Sequence, residues 1–98
     1  MNVSEHLLVL LGEECDEIAI QASKALRFGM GDHEPGKIAT NETRILQELS
    51  DLMAVVEMLQ ERGVIRRYDE GEQRGQIIAK KARIEHFMNY AREKGTLQ

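Results

Sequence analysis

The 98-residue sequence has one cysteine, one proline and no tryptophan, and only 4% of its residues are aromatic. A single cysteine excludes an intramolecular disulfide framework and a cysteine-rich zinc site, and it favours a reducing, cytoplasmic location. The short length and the lack of large aromatic residues limit the apolar surface that one copy can bury. We therefore expect a single domain over residues 1–98 that associates with further copies of itself.

Long hydrophobic runs and an excess of basic residues are also absent. The longest apolar run, Leu7 to Leu11, is far shorter than the roughly 20 residues that cross a bilayer, and no basic segment precedes it as in a signal peptide. We expect neither a membrane segment nor secretion. The net charge of −4 would repel a nucleic-acid backbone, so nucleic acid is not an expected partner. A nucleotide bound through a metal ion remains compatible with this charge.

Apolar residues recur with a helical period in three segments, and no segment alternates as a strand does. The expected helices run from Ser4 to Phe28, from Glu42 to Arg62 and from Glu72 to Lys94. Glycines are expected to end them, and Thr40 or Asn41 can cap the second. The fold class predicted by this pattern is all-α, an antiparallel helical bundle of three main helices completed by self-association.

Acidic residues border the apolar faces of the first two helices. At about 100° per residue, Glu14 falls within about 30° of Leu7, inside the apolar stripe, and Glu17 lies at its edge. Glu48 and Asp51 follow one edge of the second helix. Four carboxylates turned toward so small a core would repel one another unless they protonate or bind a cation, and Mg²⁺ prefers oxygen ligands of this kind. A solvated acidic face is the alternative interpretation.

Basic and aromatic side chains lie on the same sides of the helices. Lys24 follows Glu17 by about two turns, and Arg62 follows Asp51 by about three. The candidate phosphate-binding residues are Lys24, Arg62, Lys80 and Lys81. Phe28 is a candidate for stacking on a base. The alternatives are ordinary snorkelling or salt-bridging side chains for the basic residues and a core position for Phe28.

Two short acidic motifs carry a family resemblance. Glu13-Glu14-x-x-Glu17 and Glu48-x-x-Asp51 occur in the order EExxE then ExxD. In this the chain resembles the MazG-like all-α nucleoside triphosphate pyrophosphohydrolases. The stretch from Ala22 to Gly29 also looks like the short single-domain members found in bacteria and their phages, and the resemblance covers about Leu7 to Leu59.

The resemblance implies hydrolysis of a ribo- or deoxynucleoside triphosphate between its α- and β-phosphates, which yields the monophosphate and pyrophosphate. Mg²⁺ would be the cofactor, with Mn²⁺ as a substitute. The implied metal ligands are Glu14, Glu17, Glu48 and Asp51. Glu17 is the preferred residue to take the proton of the attacking water, with Glu14 as the second catalytic candidate. Family members form dimers or dimers of dimers, so a homodimer or homotetramer is implied.

Two other interpretations of the sequence stay open. The chain could be a catalytically inactive helical dimerisation or regulatory module that binds a nucleotide or a protein partner. It could also hydrolyse another phosphorylated compound, such as a phosphoribosyl nucleotide. Retention of all four inward-facing acids favours an enzyme, because a module would carry their mutual repulsion without a use for it.

Overall fold

The computed structural model describes residues 1–98 and contains three α-helices and no strand. Helix α1 spans Val3–Phe28, α2 spans Asn41–Glu61 and α3 spans Glu70–Lys94. The all-α class predicted from the sequence is confirmed, and every helix begins and ends within two residues of its expected bounds. No stretch of any helix is sufficiently long and apolar to traverse a bilayer.

Side-chain caps set the starts of α1 and α3. The Asn2 side chain accepts a hydrogen bond from the backbone N–H of Glu5, and the Glu5 carboxylate accepts one from the backbone of Asn2. Asp69 and Glu72 form the same reciprocal capping box at the start of α3. These contacts satisfy N–H groups that have no partner within the helix. The Asp69 cap explains why α3 begins at Glu70, two residues before the expected Glu72.

The loop between α1 and α2 is bounded by a glycine and a threonine cap. Gly29 follows α1 with φ of +100°, a backbone conformation that residues with a Cβ atom rarely adopt. At the other end of the loop, the Thr40 hydroxyl oxygen accepts a hydrogen bond from the backbone N–H of Thr43 at 3.2 Å. Thr40 is thus the cap of α2, as one of the two residues predicted for that position.

Helices α1 and α2 pack against each other so that the start of each helix lies beside the end of the other. Near the start of α1, Leu7 lies in a buried cluster with Val55 and Leu59 from the end of α2. At the other end, the Asn41 side chain donates a hydrogen bond to the carbonyl of Gly29 at 2.8 Å. The two helices therefore run antiparallel and form a hairpin.

The chain divides into two compact units, Met1–Arg66 and Arg67–Gln98. The first contains the α1–α2 hairpin, and the second contains α3. No residue of α3 is buried, and its large apolar side chains Ile77, Ile78, Ile84 and Phe87 are exposed. Most helices in proteins are stabilised by packing of an apolar face, and α3 buries none of these side chains within its own unit.

The buried core of the chain is small. Its members are Leu7, Gln21, Ala25, Asn41, Val55 and Leu59. Two of these six are amides, and buried amides must be hydrogen-bonded to avoid a large desolvation cost. The core therefore depends on specific polar contacts as well as on apolar packing.

Candidate functional site

Three carboxylates converge where α1 and α2 pack at the middle of the hairpin. Oxygen atoms of Glu14, Glu48 and Asp51 all lie within 4.8 Å of one another. Glu14 and Glu48 are half-buried at the helix interface, whereas Asp51 is exposed at its edge. Asp51 follows Glu48 by nearly one turn, so both side chains reach the same side of α2. We call these three residues the acidic trio.

Partial burial and the neighbouring carboxylates raise the pKa of Glu14. The pKa of its carboxyl is raised above the ordinary value of 4.5, first because partial burial weakens its hydration and then because of the charges of Asp51 and Glu48. The charges of Glu17 and Glu13 add smaller contributions in the same direction. A carboxylate with this environment favours any partner that brings positive charge, either a proton or a cation.

The donor set of the acidic trio suits a hard cation. Each residue offers a carboxylate oxygen, and no sulfur or imidazole ligand takes part. Small divalent cations of the Mg²⁺ type bind through one or a few carboxylates and keep several waters. The trio could therefore hold such an ion and leave positions on it for other oxygen ligands.

Glu17, the fourth acid expected from the sequence, is exposed and is not a member of the trio. It lies on α1 three residues after Glu14, and its charge still contributes to the raised pKa of Glu14. Glu17 is thus close enough for its charge to affect the pKa of Glu14, although Glu17 itself is exposed to solvent.

A second charged cluster surrounds Glu34 in the α1–α2 loop. The Lys24 ammonium lies 2.7 Å from the Glu34 carboxylate, Lys37 lies 3.3 Å away and Arg44 lies 3.6 Å away. Hydrogen bonds from Lys24 and Lys37 lower the pKa of Glu34 to about 2. We call these four residues the Glu34 cluster. It joins the end of α1, the loop and the first turn of α2.

Buried amides hold the loop end of the hairpin. With its amide oxygen facing Arg44, Gln21 accepts hydrogen bonds from Nη2 at 3.1 Å and Nε at 3.3 Å. Asn41 contacts the Gly29 carbonyl through its side chain, and its backbone N–H donates to the Asp32 carbonyl at 2.8 Å. Arg44 therefore links a buried amide on α1 with Glu34 in the loop, which fixes the loop against both helices.

Of the predicted phosphate-binding residues, Lys24 and Arg62 belong to the same hairpin as the acidic trio and do not lie beside it. Lys24 is paired with Glu34, whereas Arg62 forms the C-terminal cap of α2. Because the helices are antiparallel, these two residues lie at opposite ends of the hairpin. At 1.5 Å per residue, Lys24 is about 15 Å along α1 from Glu14, and Arg62 is about 16 Å along α2 from Asp51. Lys80 and Lys81 are exposed on α3, in the second unit.

Phe28 lies at the end of α1 and is 59% exposed, so it does not occupy a core position. The guanidinium of Arg27 lies 4.9 Å from the centre of its ring. Phe28 also lines a cavity of about 310 Å³ together with Lys24, Asp32, His33, Glu34, Pro35 and Asn41. The cavity thus combines one aromatic ring with charged and amide groups.

Sequence reasoning missed Arg44, Gln21 and Glu34. Gln21 follows Glu14 by seven residues, and Arg44 precedes Glu48 by four, so both repeat the helical face of the acidic trio. That spacing was a usable signal for the two helical residues. Glu34 had no such signal, because its position depends on the path of the loop.

Comparisons with known proteins identify no relative of the chain. No protein-family model matches the chain, and neither curated proteins nor solved structures match it.

Proposed function

We propose that the chain is a Mg²⁺-dependent nucleoside triphosphate pyrophosphohydrolase that releases pyrophosphate and a ribo- or deoxynucleoside monophosphate. Mn²⁺ would substitute for Mg²⁺. The observation that carries this proposal is the convergence of Glu14, Glu48 and Asp51 from two helices, with oxygen atoms within 4.8 Å of one another. The family resemblance of the two motifs points to the same residues.

Glu14, Glu48 and Asp51 would hold the metal, with Glu17 completing the ligand set from the exposed edge. When bound, the ion would polarise the phosphoryl group and lower the pKa of a bound water. The pKa of Glu14 is raised by its partial burial and then by the charges of Asp51 and Glu48. A bound cation would relieve the second of these effects, and this supports the proposal that the trio binds one.

Glu17 is our preferred acceptor of the proton from the attacking water. It is exposed, so water can reach it, and it lies nearly one turn from Glu14 on α1. Its charge already acts on the trio. Glu14 is the second candidate for this role.

Lys24, Arg62, Lys80 and Lys81 are proposed to bind the departing phosphates. For Lys24, a phosphate oxygen would have to compete with the Glu34 carboxylate at 2.7 Å. Lys80 and Lys81 are exposed and accessible to an anion. Phe28 is proposed to stack on the base within the cavity that it lines.

The assembled form belongs to the same proposal. The three helices would form one antiparallel bundle in a single MazG-like domain, and a homodimer or homotetramer would cover the exposed apolar residues. The protein would act in the cytoplasm, without nucleic acid or membrane as a partner.

The test is pyrophosphate release from a panel of ribo- and deoxynucleoside triphosphates with Mg²⁺ and with EDTA. Equal amounts of monophosphate and pyrophosphate, formed only with metal, are expected. Asp16→Asn is the matched control for Asp51→Asn, because Asp16 is an exposed acid of α1 outside the trio. Release of single phosphate, or turnover that survives EDTA, would contradict the proposed reaction.

A second candidate is a helical dimerisation or regulatory module without catalysis, binding a nucleotide or a protein partner. The observation in its favour is α3, which has no buried residue and exposes Ile78 and Phe87. If the folded protein releases no pyrophosphate from any nucleoside triphosphate of the panel, this module is favoured. The same result would also agree with hydrolysis of another phosphorylated compound, such as a phosphoribosyl nucleotide.

A further inference from the structure

The cavity at the loop end of the α1–α2 hairpin has an apolar wall and several polar side chains. Its volume of about 310 Å³ is at the lower end of the size range of small-molecule sites, in which a few polar groups orient the ligand. Phe28 and Pro35 supply the apolar wall. The polar side chains of the lining are Lys24, Asp32, His33, Glu34 and Asn41. A ring that stacks on Phe28 would meet these polar groups along its edge.

Two of the five polar side chains already satisfy each other. Lys24 donates a hydrogen bond to Glu34 at 2.7 Å, and two more cations lie within 4 Å of the Glu34 carboxylate. To use either residue, an uncharged ring would have to displace the present partner of that residue. The orientation of such a ring is therefore left to Asp32, His33 and Asn41.

These three side chains each offer an acceptor to a ligand. The exposed Asp32 carboxylate makes no hydrogen bond or ion pair within the chain, and a carboxylate only accepts. The His33 Nδ1 lies 3.1 Å from the carbonyl oxygen of Glu34. Because that oxygen accepts, Nδ1 carries the proton, and the neutral ring presents Nε2 as an acceptor. The Asn41 amide donates to the carbonyl of Gly29 through Nδ2, and its Oδ1 makes no hydrogen bond within the chain.

Backbone hydrogen bonds hold Asp32 in place at the cavity. Its N–H donates to the carbonyl of Gly29 at 3.3 Å, and its carbonyl accepts from the N–H of Asn41 at 2.8 Å. The end of α1 and the start of α2 thus both fix the residue. These contacts use only the backbone, so the Asp32 carboxylate is positioned without taking part in them. A side chain held in this way is suited to orient a ligand.

The common bases differ in the groups that they would present to these acceptors. Adenine and cytosine carry an exocyclic amino group, which donates, whereas thymine has a carbonyl oxygen in the position corresponding to the amino group of cytosine. Carboxylates accept from the amino group of cytosine in protein–DNA contacts. A carbonyl oxygen placed against the Asp32 carboxylate would leave two acceptors facing each other without a donor. The cavity therefore favours a base that carries an amino group.

We propose that the cavity beside Phe28 selects nucleotides whose base carries an exocyclic amino group, and that Asp32 makes this selection. The inference rests on the proposed function, because it takes a nucleotide as the substrate, and it adds the class of base. Along α2, Asn41 lies about 10 Å from Glu48 of the acidic trio. The sugar and the first phosphates of the substrate would span this interval.

Titration of the chain with nucleoside monophosphates, followed by two-dimensional NMR without metal, is the first test. Cytidine and uridine monophosphates are a matched pair, because an amino group of one replaces a carbonyl oxygen of the other, and adenosine and inosine monophosphates are a second pair. The amide signals of Phe28, Asp32 and Asn41 should shift, and Kd should be at least about threefold lower for the amino-bearing member of each pair. A smaller difference, the opposite preference or no binding of any nucleotide would overturn the proposal.

Asp32→Asn should remove the selection and keep the backbone contacts of the residue. The new amide can donate to a carbonyl oxygen, so uridine monophosphate should bind at least as tightly as cytidine monophosphate. Asp32→Ala, which removes the acceptor without adding a donor, should also abolish the preference. The matched control is Asp16→Asn, which changes an exposed aspartate of α1 outside the cavity and should keep the wild-type ratio of Kd values. Phe28→Leu should weaken the binding of all four nucleotides alike.

Two results with the Asp32 variants would contradict its role. If Asp32→Asn or Asp32→Ala keeps the wild-type ratio of Kd values, another residue makes the selection. If both variants lose their helical circular dichroism, the Asp32 carboxylate serves the fold and not the ligand.

The base selection and the proposed reaction can fail separately, because the titrations contain neither metal nor triphosphate. If cytidine monophosphate binds more tightly than uridine monophosphate but no triphosphate releases pyrophosphate, the proposed reaction is wrong and the selection stands. If cytidine and uridine triphosphates release pyrophosphate at the same rate and their monophosphates bind equally, the selection is wrong and the reaction stands.

Discussion

Glu14 and Glu34 are both half-buried glutamates of the α1–α2 unit, yet their surroundings are opposite. Glu14 shares its site with Glu48 and Asp51, and its pKa is raised above 4.5. Glu34 is surrounded by Lys24, Lys37 and Arg44, and its pKa is lowered to about 2. One carboxylate lacks positive charge, and the other has three cations within 4 Å.

The difference separates a candidate site from a structural contact. In the Glu34 cluster the protein supplies its own counter-charges, so the contact can stabilise the loop without any ligand. In the acidic trio the counter-charge must come from a proton or a bound cation. Five predictions test this distinction, from the largest expected effect to the smallest.

Glu14→Gln or Asp51→Asn should abolish metal-dependent pyrophosphate release, with a loss of at least about 100-fold. Each substitution also removes repulsion within the trio, so helicity should be retained and the Tm without Mg²⁺ should be equal or higher. Steady-state kinetics and circular dichroism measure both effects. Asp16→Asn should keep full activity. Unfolding of the Glu14→Gln or Asp51→Asn variant would show that the acids serve structure instead.

Mg²⁺ should stabilise the wild type and not the Glu14→Gln variant. A ligand that binds only the folded state contributes about 1.4 kcal/mol at ten times its Kd. Thermal unfolding with Mg²⁺ and with EDTA provides the measurement. Glu34→Gln is the matched control and should keep the Mg²⁺ response, because Glu34 lies outside the trio. An equal shift for wild type and Glu14→Gln would place the ion elsewhere.

Glu34→Gln should lower the Tm by a few degrees, because it removes the shared partner of Lys24, Lys37 and Arg44. The side chain is 37% exposed, so solvent screening keeps the effect moderate. Differential scanning calorimetry in low and high salt would check it, and the loss should shrink in high salt. If Glu34→Gln has the same Tm as the wild type in low salt, the Glu34 cluster does not stabilise the fold.

The two glutamates should give opposite slopes of stability with pH. Ionised Glu14 destabilises the fold, and this cost is relieved as pH falls toward 4.5, because the folded-state pKa is raised. Glu34 stabilises the fold above pH 4.5, and this contribution is lost between pH 4.5 and about 2. In a plot of Tm against pH, the Glu14→Gln variant should therefore lose the rise in Tm that occurs as pH falls toward 4.5. The Glu34→Gln variant should lose part of the fall in Tm between pH 4.5 and about 2. Identical profiles for both variants would contradict the assignment.

Lys81→Ala should raise KM or lower kcat severalfold, because Lys81 is exposed and proposed to contact phosphate. Lys24→Ala should lower the Tm and leave KM nearly unchanged, since Lys24 already pairs with Glu34 at 2.7 Å. Kinetics and thermal unfolding of both variants separate the two roles. Unchanged kinetics for Lys81→Ala would show that Lys81 is a surface lysine that does not bind the phosphates.

Local signals in the sequence were sufficient for the three helices, because capping residues, glycines and helical periodicity act within a few residues of one another. The same periodicity placed Glu14 and Glu48 against the helix interface, and both are half-buried there. It also predicted that Lys24 and Arg62 share faces with nearby acids. It could not show that an antiparallel hairpin puts these two cations at opposite ends.

The sequence by itself thus determined the all-α fold, the helix bounds and the orientation of the acids on each helix, since these depend on contacts between near neighbours in the chain. The tertiary structure alone decided which charges meet. It brought Asp51 rather than Glu17 into the trio with Glu14 and Glu48, and it placed Glu34 against Lys24 and Arg44. The physical reason is that charges interact through space, and the distance between Lys24 and Glu34 depends on the path of a loop that helical periodicity does not describe.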